Sequence, residues 1–279
     1  MENADELRRT IEQIATDAQT VTVGVAVRDY ETSAEFHLNA DHSFHAASTI
    51  KVAVLLALFR AIDEERLRLD DPLHVRNRFR SALDGSSFRL DPESDGYPQL
   101  YKVIGRTAKI SDLADVMITS SSNLATNLLL DFISVNYARE VLREAGIRGV
   151  ELKRGVDDEK AFDAGLSNET TPLGLVDLFS ILRGECLSKP SRDAAIAILL
   201  RQRFDSMIPA QLPPHVTTAH KTGEISTACH DAGIVYVPER QPYIVAILTQ
   251  VKSDADSRRE TVAKISKAIF DFFVGEPAA

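Results

Sequence analysis

Predicted β-strands lie only toward the two ends of this chain. Two of them, Thr20–Val27 and Ser33–Leu38, come early, and three more, Val216–His220, Ala232–Val237 and Tyr243–Thr249, come late. Two strands alone cannot bury one face of a sheet. The early pair must therefore join the late three, and the simplest arrangement is one five-stranded antiparallel sheet.

The central part of the chain has helical periodicity instead. Apolar residues recur at helical spacing from Thr49 onwards. We predict an α/β protein of the α+β type, in which residues 1–40 and 203–279 form a sheet domain and residues 41–202 form an inserted all-helical domain. The active site is expected in the cleft between them, where ligand sites often occur. Helices that flank the sheet are predicted at residues 5–16 and 255–273.

The composition narrows the classes of partner. Apolar residues make up 44% and charged residues 26% of the chain, which is ordinary for a globular protein, and the net charge is −9. Nucleic-acid binding depends largely on neutralising phosphates with basic residues, so no nucleic-acid partner is expected. The longest strongly apolar stretch, Val52–Phe59, is too short to span a membrane. We therefore expect no membrane partner. The sequence does not reveal the oligomeric state, for which a monomer is the expectation.

The first residues and the two cysteines bear on the compartment. Met1–Glu6 is acidic and lacks the apolar segment of a signal peptide. Cys186 and Cys229 are interpreted as free thiols. We expect a cytoplasmic protein if the sequence is complete, and a periplasmic or secreted one if a leader has been removed.

Ser48 and Lys51 lie three residues apart at the start of an apolar helix. Residues at this spacing share a helix face, so the lysine amine is within reach of the serine hydroxyl. A serine is a weak nucleophile until a base takes its proton, and a lysine kept neutral by desolvation is such a base. The pair indicates nucleophilic catalysis. The simpler alternative is that Ser48 caps the helix.

A second polar group, Ser121-Ser122-Asn123, precedes another apolar helix. At least one of its serines is expected to cap that helix. In a functional interpretation, Ser121 relays a proton and Asn123 forms a hydrogen bond with a substrate amide.

A third group, Lys221-Thr222-Gly223, stands at the end of a predicted strand. A glycine there lets a ligand or another backbone approach closely, while the lysine and threonine offer a positive charge and a hydroxyl to an anionic group. Taken alone, an exposed lysine at a strand end is the simpler interpretation.

These three motifs, in this order, resemble those of the serine β-lactamase and penicillin-binding-protein superfamily, and most of all the class A β-lactamase-like group. The resemblance extends to Val21–Asp29, to Thr170-Thr171-Pro172 and to the last two predicted strands, so nearly the whole chain is covered. It implies the β-lactamase/transpeptidase-like fold, and it implies no metal or other cofactor.

The resemblance also implies roles for individual residues. Ser48 would attack a carbonyl to form an acyl-enzyme, with Lys51 as base or proton relay and Ser121 as the proton donor to the leaving nitrogen. The oxyanion would lie between the backbone N–H groups of Ser48 and Glu224. The substrate-binding residues implied are Asn123, Lys221, Thr222, Gly223 and His230.

His230 lies near the position of an arginine that binds the substrate carboxylate in many class A enzymes. If it points into the cleft, we expect tighter carboxylate binding at low pH, where histidine is charged. The alternative is a sheet histidine with a structural hydrogen bond.

Two features depart from the family pattern. Ser122 stands where the family usually has aspartate. The segment 154–169 lacks the Glu-x-x-Leu-Asn sequence that positions the deacylating water in class A enzymes. Asp157, Asp158 or Glu159 could replace that glutamate, with Glu159 as the candidate deacylation base, although solvated loop charges are the simpler interpretation. Without a positioned water, acylation proceeds while deacylation is slow.

Three functions are compatible with these observations. The first is hydrolysis of the β-lactam amide bond, hence antibiotic catabolism, through an acyl-enzyme. The second is a related esterase or D-Ala-D-Ala-type peptidase that turns over β-lactams weakly. The third is a non-enzymatic penicillin-binding sensor that stays acylated. The same scaffold serves several activities, so fold alone does not separate them.

Overall fold

The computed structural model describes residues 2–252 and 257–275. Within these residues the α-helices are α1 (Glu2–Asp17), α2 (Lys51–Asp63), α3 (Ile110–Thr119), α4 (Asn123–Ile133), α5 (Val135–Glu144), α6 (Glu159–Asp163), α7 (Pro172–Arg183), α8 (Lys189–Leu199) and α9 (Arg258–Phe273). The strands are β1 (Thr22–Asp29), β2 (Glu35–Leu38), β3 (Phe44–His45), β4 (Pro72–His74), β5 (Phe79–Arg80), β6 (Ser87–Phe88), β7 (Thr107–Lys109), β8 (Val150–Glu151), β9 (Glu169–Thr170), β10 (Thr217–Ile225), β11 (Ala228–Tyr236) and β12 (Tyr243–Gln250). Short 3₁₀ helices lie at Ala47–Ile50, Pro98–Val103 and Ile208–Gln211.

The chain divides into two compact units. The first, here called the sheet unit, consists of Met1–Thr49, Thr170–Phe179 and Phe204–Ala279. The second, the helical unit, consists of Ile50–Glu169 and Ser180–Arg203. These bounds assign residues 41–49 and 170–179 to the sheet unit, whereas the sequence-based division places them in the inserted domain.

The sheet unit is built on one antiparallel sheet with the strand order β10-β11-β12-β1-β2. The pairing of β1 with β12, in which Val25 lies opposite Ile247, joins the early strands to the late ones. One face of this sheet is covered by α1 and α9, whose apolar residues, including Ile11 and Ile265, pack with Val25 and Ile247 in a single core. The predicted five-stranded antiparallel sheet is therefore confirmed.

The strands β10 and β11 are longer than predicted. Their pairing continues from Thr217, opposite Tyr236, to Ile225, opposite Ala228. The predicted strand ends at His220, so Lys221-Thr222-Gly223 lies inside β10 rather than at its end. The reason is that the turn comes only at residues 226–227, and every residue before it finds a partner on β11.

The helical unit is organised around α2. Residues 52–59 of this helix are all buried, and α2 packs against α4, α5 and α8. A helix that is apolar on all sides belongs in the middle of a core. The unit also contains two short two-stranded sheets, β4 with β7 and β5 with β6, which is a departure from the all-helical expectation.

The terminal helices follow the predicted positions. The helix predicted at residues 5–16 is α1, which begins at Glu2 and ends at Asp17. The helix predicted at residues 255–273 is α9, which begins at Arg258, and residues 255 and 256 lie outside the described residues. Cys186 and Cys229 are free thiols, as predicted.

No helix in the part of the chain that the structure describes combines the length and apolarity needed to cross a bilayer.

Gly233 on β11 provides a test of this strand packing. A Cβ at this position would lie 2.5 Å from the backbone oxygen of Ala219 and 2.7 Å from the Cα of His220. Because β10 would have to shift, we expect Gly233→Ala to lower the free energy of unfolding by about 1–3 kcal/mol, as measured by urea denaturation. An unchanged unfolding midpoint would contradict the close approach of the two strands.

Candidate active site

Ser48 lies in a 3₁₀ turn directly before α2 and is partly exposed. The preceding residue, Ala47, has a φ of 47°, a left-handed conformation that costs a residue with a side chain free energy. The N-cap position of α2 is Ile50, and no side chain forms a cap hydrogen bond there. The alternative that Ser48 caps the helix is therefore not supported.

Strand β10 runs beside the backbone of Ser48. A Cβ built on Gly223 would lie 3.1 Å from the backbone nitrogen of Ser48 and 3.0 Å from that of Thr49. In the described part of the sheet β10 is an edge strand, and an edge strand presents backbone N–H and C=O groups to a ligand. The absence of a side chain at Gly223 is what lets the strand approach this closely.

In the helical unit, Lys51 is completely buried. Its Nζ donates to the backbone oxygen of Ser121 at 2.7 Å, to the Ser121 Oγ at 3.0 Å and to the Asn123 Oδ1 at 2.7 Å. An ammonium group has three donors and no acceptor, so these three acceptors satisfy it. The structure thus brings together Lys51, Ser121 and Asn123, which the sequence predicts as site residues.

Burial lowers the pKa of Lys51 to about 8, although the negative charges of Asp95 and Asp157 act in the opposite direction. A lysine with this pKa is partly neutral near pH 7, which a general base requires. The shift results from desolvation, and the three neutral acceptors do not compensate for it as a direct carboxylate partner would.

The two serines of the second motif have different roles. The Ser122 Oγ accepts a hydrogen bond from the backbone N–H of Ala125 and caps α4. Ser121 has a left-handed φ of 58° and is partly exposed, and its hydroxyl contacts Lys51. Ser122 fills the position that aspartate occupies in the family, and as a cap it is structurally competent there.

Asp95 supports this segment and was not identified from the sequence. Its buried carboxylate accepts hydrogen bonds from the backbone N–H of Leu124 at 2.8 Å, from that of Tyr97 at 2.8 Å and from the Tyr101 hydroxyl at 3.1 Å. The next residue, Gly96, passes so close to Ser120 that a Cβ would lie 1.8 Å from its carbonyl oxygen. The Asp95-Gly96 pair is the feature of the sequence from which this supporting turn could have been predicted.

The acidic loop, defined here as residues 155–159, contains the three candidate replacements for the missing glutamate. The Oδ2 of Asp157 accepts a hydrogen bond from the Asn123 Nδ2 at 2.7 Å. Asp158 is buried and accepts from the backbone N–H groups of Ala161 and Ala82. Glu159 is exposed in the first turn of α6. The carboxylate beside the site is thus that of Asp157, which corrects the choice of Glu159 as the candidate base.

Two asparagines fix the acidic loop and the segment before it. The Asn127 amide donates to the backbone oxygen of Val156 at 2.9 Å and accepts from its N–H at 2.8 Å. The Asn168 amide pairs in a similar way with the backbone of Lys153 and Arg154. Asn127 follows Asn123 by one helical turn on α4, so its position on the same face is predictable from the sequence.

The positive charge of Lys221 is buried in β10. Its Nζ donates to the backbone oxygen of Thr222 at 2.9 Å, and both side chains are buried. The residue before it, His220, pairs with the buried carboxylate of Asp231 at 2.9 Å, and this carboxylate also accepts from the backbone N–H of Ile208. The interpretation of Lys221 as an exposed strand-end lysine is wrong.

Glu224, the residue that follows the glycine, is tied to α9. Its carboxylate lies 2.8 Å from an Arg259 guanidinium nitrogen and 3.4 Å from one of Arg258. This pairing holds the end of β10 against the helix. The backbone N–H of Glu224, predicted as an oxyanion donor, is thereby on an anchored strand.

His230 is a structural residue in this geometry, which corrects its assignment to substrate binding. It is completely buried on β11. Its Nε2 lies 2.9 Å from the backbone oxygen of His45, and its Nδ1 accepts from the backbone N–H of Thr249 at 3.1 Å. Burial lowers its pKa to about 4, so the ring is neutral at the pH values at which a carboxylate would need a cation.

The buried His230 predicts a pH dependence of stability. Its folded pKa of about 4 is below the unfolded value of about 6.5, so its contribution is complete above pH 6.5 and is lost as the pH falls toward 4. We expect this residue alone to lower the free energy of unfolding by about 2 kcal/mol between pH 7 and pH 5.

Urea denaturation of the wild type and of His230→Gln at the two pH values measures this contribution. The exposed His74→Gln serves as control and should keep the wild-type difference. Equal losses in the wild type and in His230→Gln would show that the buried ring is not held neutral.

Within the described ranges, no cluster of three or more His, Cys, Asp or Glu side chains is arranged to hold a metal ion. The helical unit offers the partly neutral amine of Lys51 and the Ser121 hydroxyl. The sheet unit offers the Ser48 hydroxyl and the backbone groups of the edge strand β10. This set is suited to acyl transfer through a serine.

Comparison with known proteins agrees with this chemistry. A family model described as the β-lactamase enzyme family matches residues 6–273. Because the match covers nearly the whole chain, the protein belongs to this family, and the resemblance inferred from the motifs is confirmed. The β-lactamase ROB-1 of Haemophilus influenzae is 26% identical over 254 residues, which cover 89% of this chain and 78% of ROB-1.

Solved structures show the same fold. A mutant of PBP-A, described as an acyl-enzyme complex with penicillin G, is 27% identical, with a TM-score of 0.82 and coverage of 98% of this chain and 97% of that one. The TLA-3 extended-spectrum β-lactamase has a TM-score of 0.85 at 24% identity and covers 98% of this chain. The predicted β-lactamase/transpeptidase-like fold is confirmed.

Proposed function

We propose that this protein hydrolyses the amide bond of β-lactam rings through an acyl-enzyme on Ser48. The observation that carries the proposal is the buried Lys51 amine, three residues from Ser48, with a pKa of about 8 and a contact to the Ser121 hydroxyl. Membership of the β-lactamase family supports the same substrate class. A small β-lactam is thus the proposed partner. The monomeric state stays a prediction, which analytical ultracentrifugation tests.

In the acylation step, neutral Lys51 takes the proton of the Ser48 hydroxyl, directly or through a relay, and the serine oxygen bonds to the lactam carbonyl carbon. The carbon–nitrogen bond then breaks. The Ser121 hydroxyl gives its proton to the leaving nitrogen and regains one from Lys51, whose Nζ is 3.0 Å away. The proton that leaves Ser48 thus reaches the lactam nitrogen through Lys51 and Ser121, and both of these residues return to their starting protonation states.

Further groups stabilise the reacting molecule in this proposal. The backbone N–H groups of Ser48 and Glu224 donate to the developing oxyanion, and such a donor is worth about 3 kcal/mol in the transition state. Lys221 and Thr222 hold the substrate carboxylate, beside the glycine that lets it approach. Asn123 binds the acyl side chain. We propose that the groups of both units act on one substrate.

Deacylation is proposed to be the slower step. The acidic loop offers Asp157 where class A enzymes have a glutamate, and its shorter side chain is hydrogen-bonded to Asn123. This observation also favours the second candidate, a penicillin-binding protein of the peptidase type that releases its acyl group slowly. In both cases Ser48 is acylated first, so the two functions differ in the lifetime of the adduct.

Intact mass spectrometry together with turnover of a chromogenic cephalosporin and of penicillin G separates the candidates. Continuous hydrolysis supports the lactamase, whereas a stoichiometric burst with a lasting adduct supports a peptidase or a sensor. Turnover of esters without β-lactam turnover supports an esterase. Absence of any adduct or turnover would contradict the proposal.

Removing the nucleophile should abolish the reaction. We expect Ser48→Ala to lower the acylation rate by a factor on the order of 10³ or more, with an unchanged circular dichroism spectrum because the side chain is partly exposed. The exposed Ser226→Ala is the matched control and should react like the wild type. A persistent adduct on the Ser48→Ala variant would place the nucleophile elsewhere.

The pKa of Lys51 predicts the pH profile of acylation. Because the neutral amine is the base and its pKa is about 8, about a tenth of the protein is active at pH 7 and about nine tenths at pH 9. We expect the rate of adduct formation to rise roughly tenfold between these values. Lys51→Arg, which stays charged, should be slow and lack the rise. A profile that is flat in the wild type would exclude Lys51 as the base.

A further inference from the structure

The Asn123 side chain joins a cation to an anion. Its Oδ1 accepts from the Lys51 Nζ at 2.7 Å, and its Nδ2 donates to the Asp157 Oδ2 at 2.7 Å. An ammonium group only donates and a carboxylate only accepts. These two partners therefore fix which end of the amide carries the oxygen. A flipped amide would place its NH₂ group against the Lys51 ammonium, where two donors meet, and its oxygen against the Asp157 carboxylate, where two acceptors meet.

The fixed amide leaves one donor for a ligand. The Nδ2 group carries two hydrogens, and Asp157 takes one of them. A carbonyl oxygen bound by the second hydrogen lies about 120° from the first, so it comes roughly 5 Å from the Asp157 carboxylate oxygen at ordinary hydrogen-bond lengths. A group on the carbon next to that carbonyl comes closer still when this carbon lies on the Asp157 side of the C=O bond. Asp157 therefore faces the atom next to the acyl side-chain carbonyl.

The structure holds Asp157 in this position before any ligand binds. The residue has a left-handed φ of 54°, and the neighbouring backbone is fixed on both sides. Asn127 binds the N–H and the C=O of Val156, and Asp158 is anchored to Ala82. A carboxylate that is already ordered loses little conformational entropy when it forms an ion pair.

The charge of Asp157 is available to a ligand. Among the described residues, no Lys or Arg nitrogen is within ion-pair distance of its carboxylate. The charge of Asp157 acts on the pKa of Lys51 and of Arg154. Both cations have other acceptors, since Lys51 binds Ser121 and Asn123 and Arg154 donates to the backbone oxygens of Leu166 and Gly155. The Asp157 side chain is itself exposed.

We propose that Asp157 makes this site select acyl groups that carry a positively charged amine on the carbon next to the side-chain carbonyl, and disfavour those that carry a carboxylate there. The inference rests on the proposed function, because it assumes that Asn123 binds the acyl side chain of the molecule that acylates Ser48. The preferred substrate class is thus the α-aminoacyl amides, that is, acyl groups with a free amino terminus.

Three penicillins provide a matched series for the test. Penicillin G, ampicillin and carbenicillin share a phenylacetyl side chain and differ at its α-carbon, which carries hydrogen, an amine or a carboxylate. The second-order rate constant of Ser48 acylation is measured for each by quenching and intact mass, at about pH 6.5, where the amine is mostly protonated and the carboxylate is ionised. Acylation is the step measured because slow deacylation then does not distort the comparison.

We expect ampicillin to acylate the protein about fivefold faster than penicillin G, and carbenicillin about fivefold slower, which is the scale of an exposed ion pair. In Asp157→Asn, which keeps an acceptor for Asn123 but removes the charge, the three rates should agree within about twofold. Asp163→Asn makes the same chemical change at an exposed position on α6 and should keep the wild-type order.

The ratio of rates within each variant is the readout, so a general loss of activity in Asp157→Asn does not affect it. If that variant fails to fold, the wild type alone still decides, because about 0.5 M NaCl should shrink the ampicillin-to-carbenicillin ratio by screening the charge. Equal rates for the three penicillins in the wild type, or an unchanged order in Asp157→Asn, would overturn the inference and leave the proposed function standing. Absence of acylation by all three would overturn both.

Discussion

The site depends on a lysine ammonium that is buried without a carboxylate in direct contact. Lys51 has no exposed surface and binds two oxygens of Ser121 and one of Asn123. Neutral acceptors satisfy its hydrogens but do not replace the solvation of its charge, so its pKa falls to about 8. A contacting carboxylate would remove this effect. Asp95 and Asp157 act on Lys51 from beyond hydrogen-bond distance, which limits the fall without cancelling it.

Some of the left-handed backbone of this protein lies at or next to predicted site residues. Ala47, Ser121 and Asp157 are left-handed non-glycine residues, and each costs on the order of 1–3 kcal/mol. The conformation alone does not mark a site, because Ser33 adopts it in an ordinary turn between β1 and β2. At the site, the surrounding contacts maintain it. Asn127, on α4, holds the acidic loop by two backbone hydrogen bonds. These bonds offset the free-energy cost of the left-handed conformation that positions Asp157.

The sheet and the three motifs were predictable because each rests on a local pattern. Strand periodicity and the need to bury a sheet face predict that the early strands join the late ones, and the structure adds that β1 pairs with β12. The motif residues are recognisable because together they resemble those of the family. The burial and the hydrogen-bond partners of individual side chains were not predictable. His230 has a polar side chain on a strand, and only the positions of the His45 carbonyl and the Thr249 N–H turn it into a buried, neutral hydrogen-bonding residue.

The three neighbouring acids of the acidic loop show why sequence cannot rank such residues. They have nearly the same chemistry, yet backbone direction gives them different surroundings. Asp158 points inward and caps α6, whereas Glu159 stands in the first turn of that helix, exposed to solvent. Asp157 precedes the cap, and its left-handed backbone turns its side chain toward Asn123. A regular backbone at this residue would aim the carboxylate elsewhere, so the left-handed turn, held by the hydrogen bonds of Asn127 and Asp158, determines which acid borders the Asn123 amide.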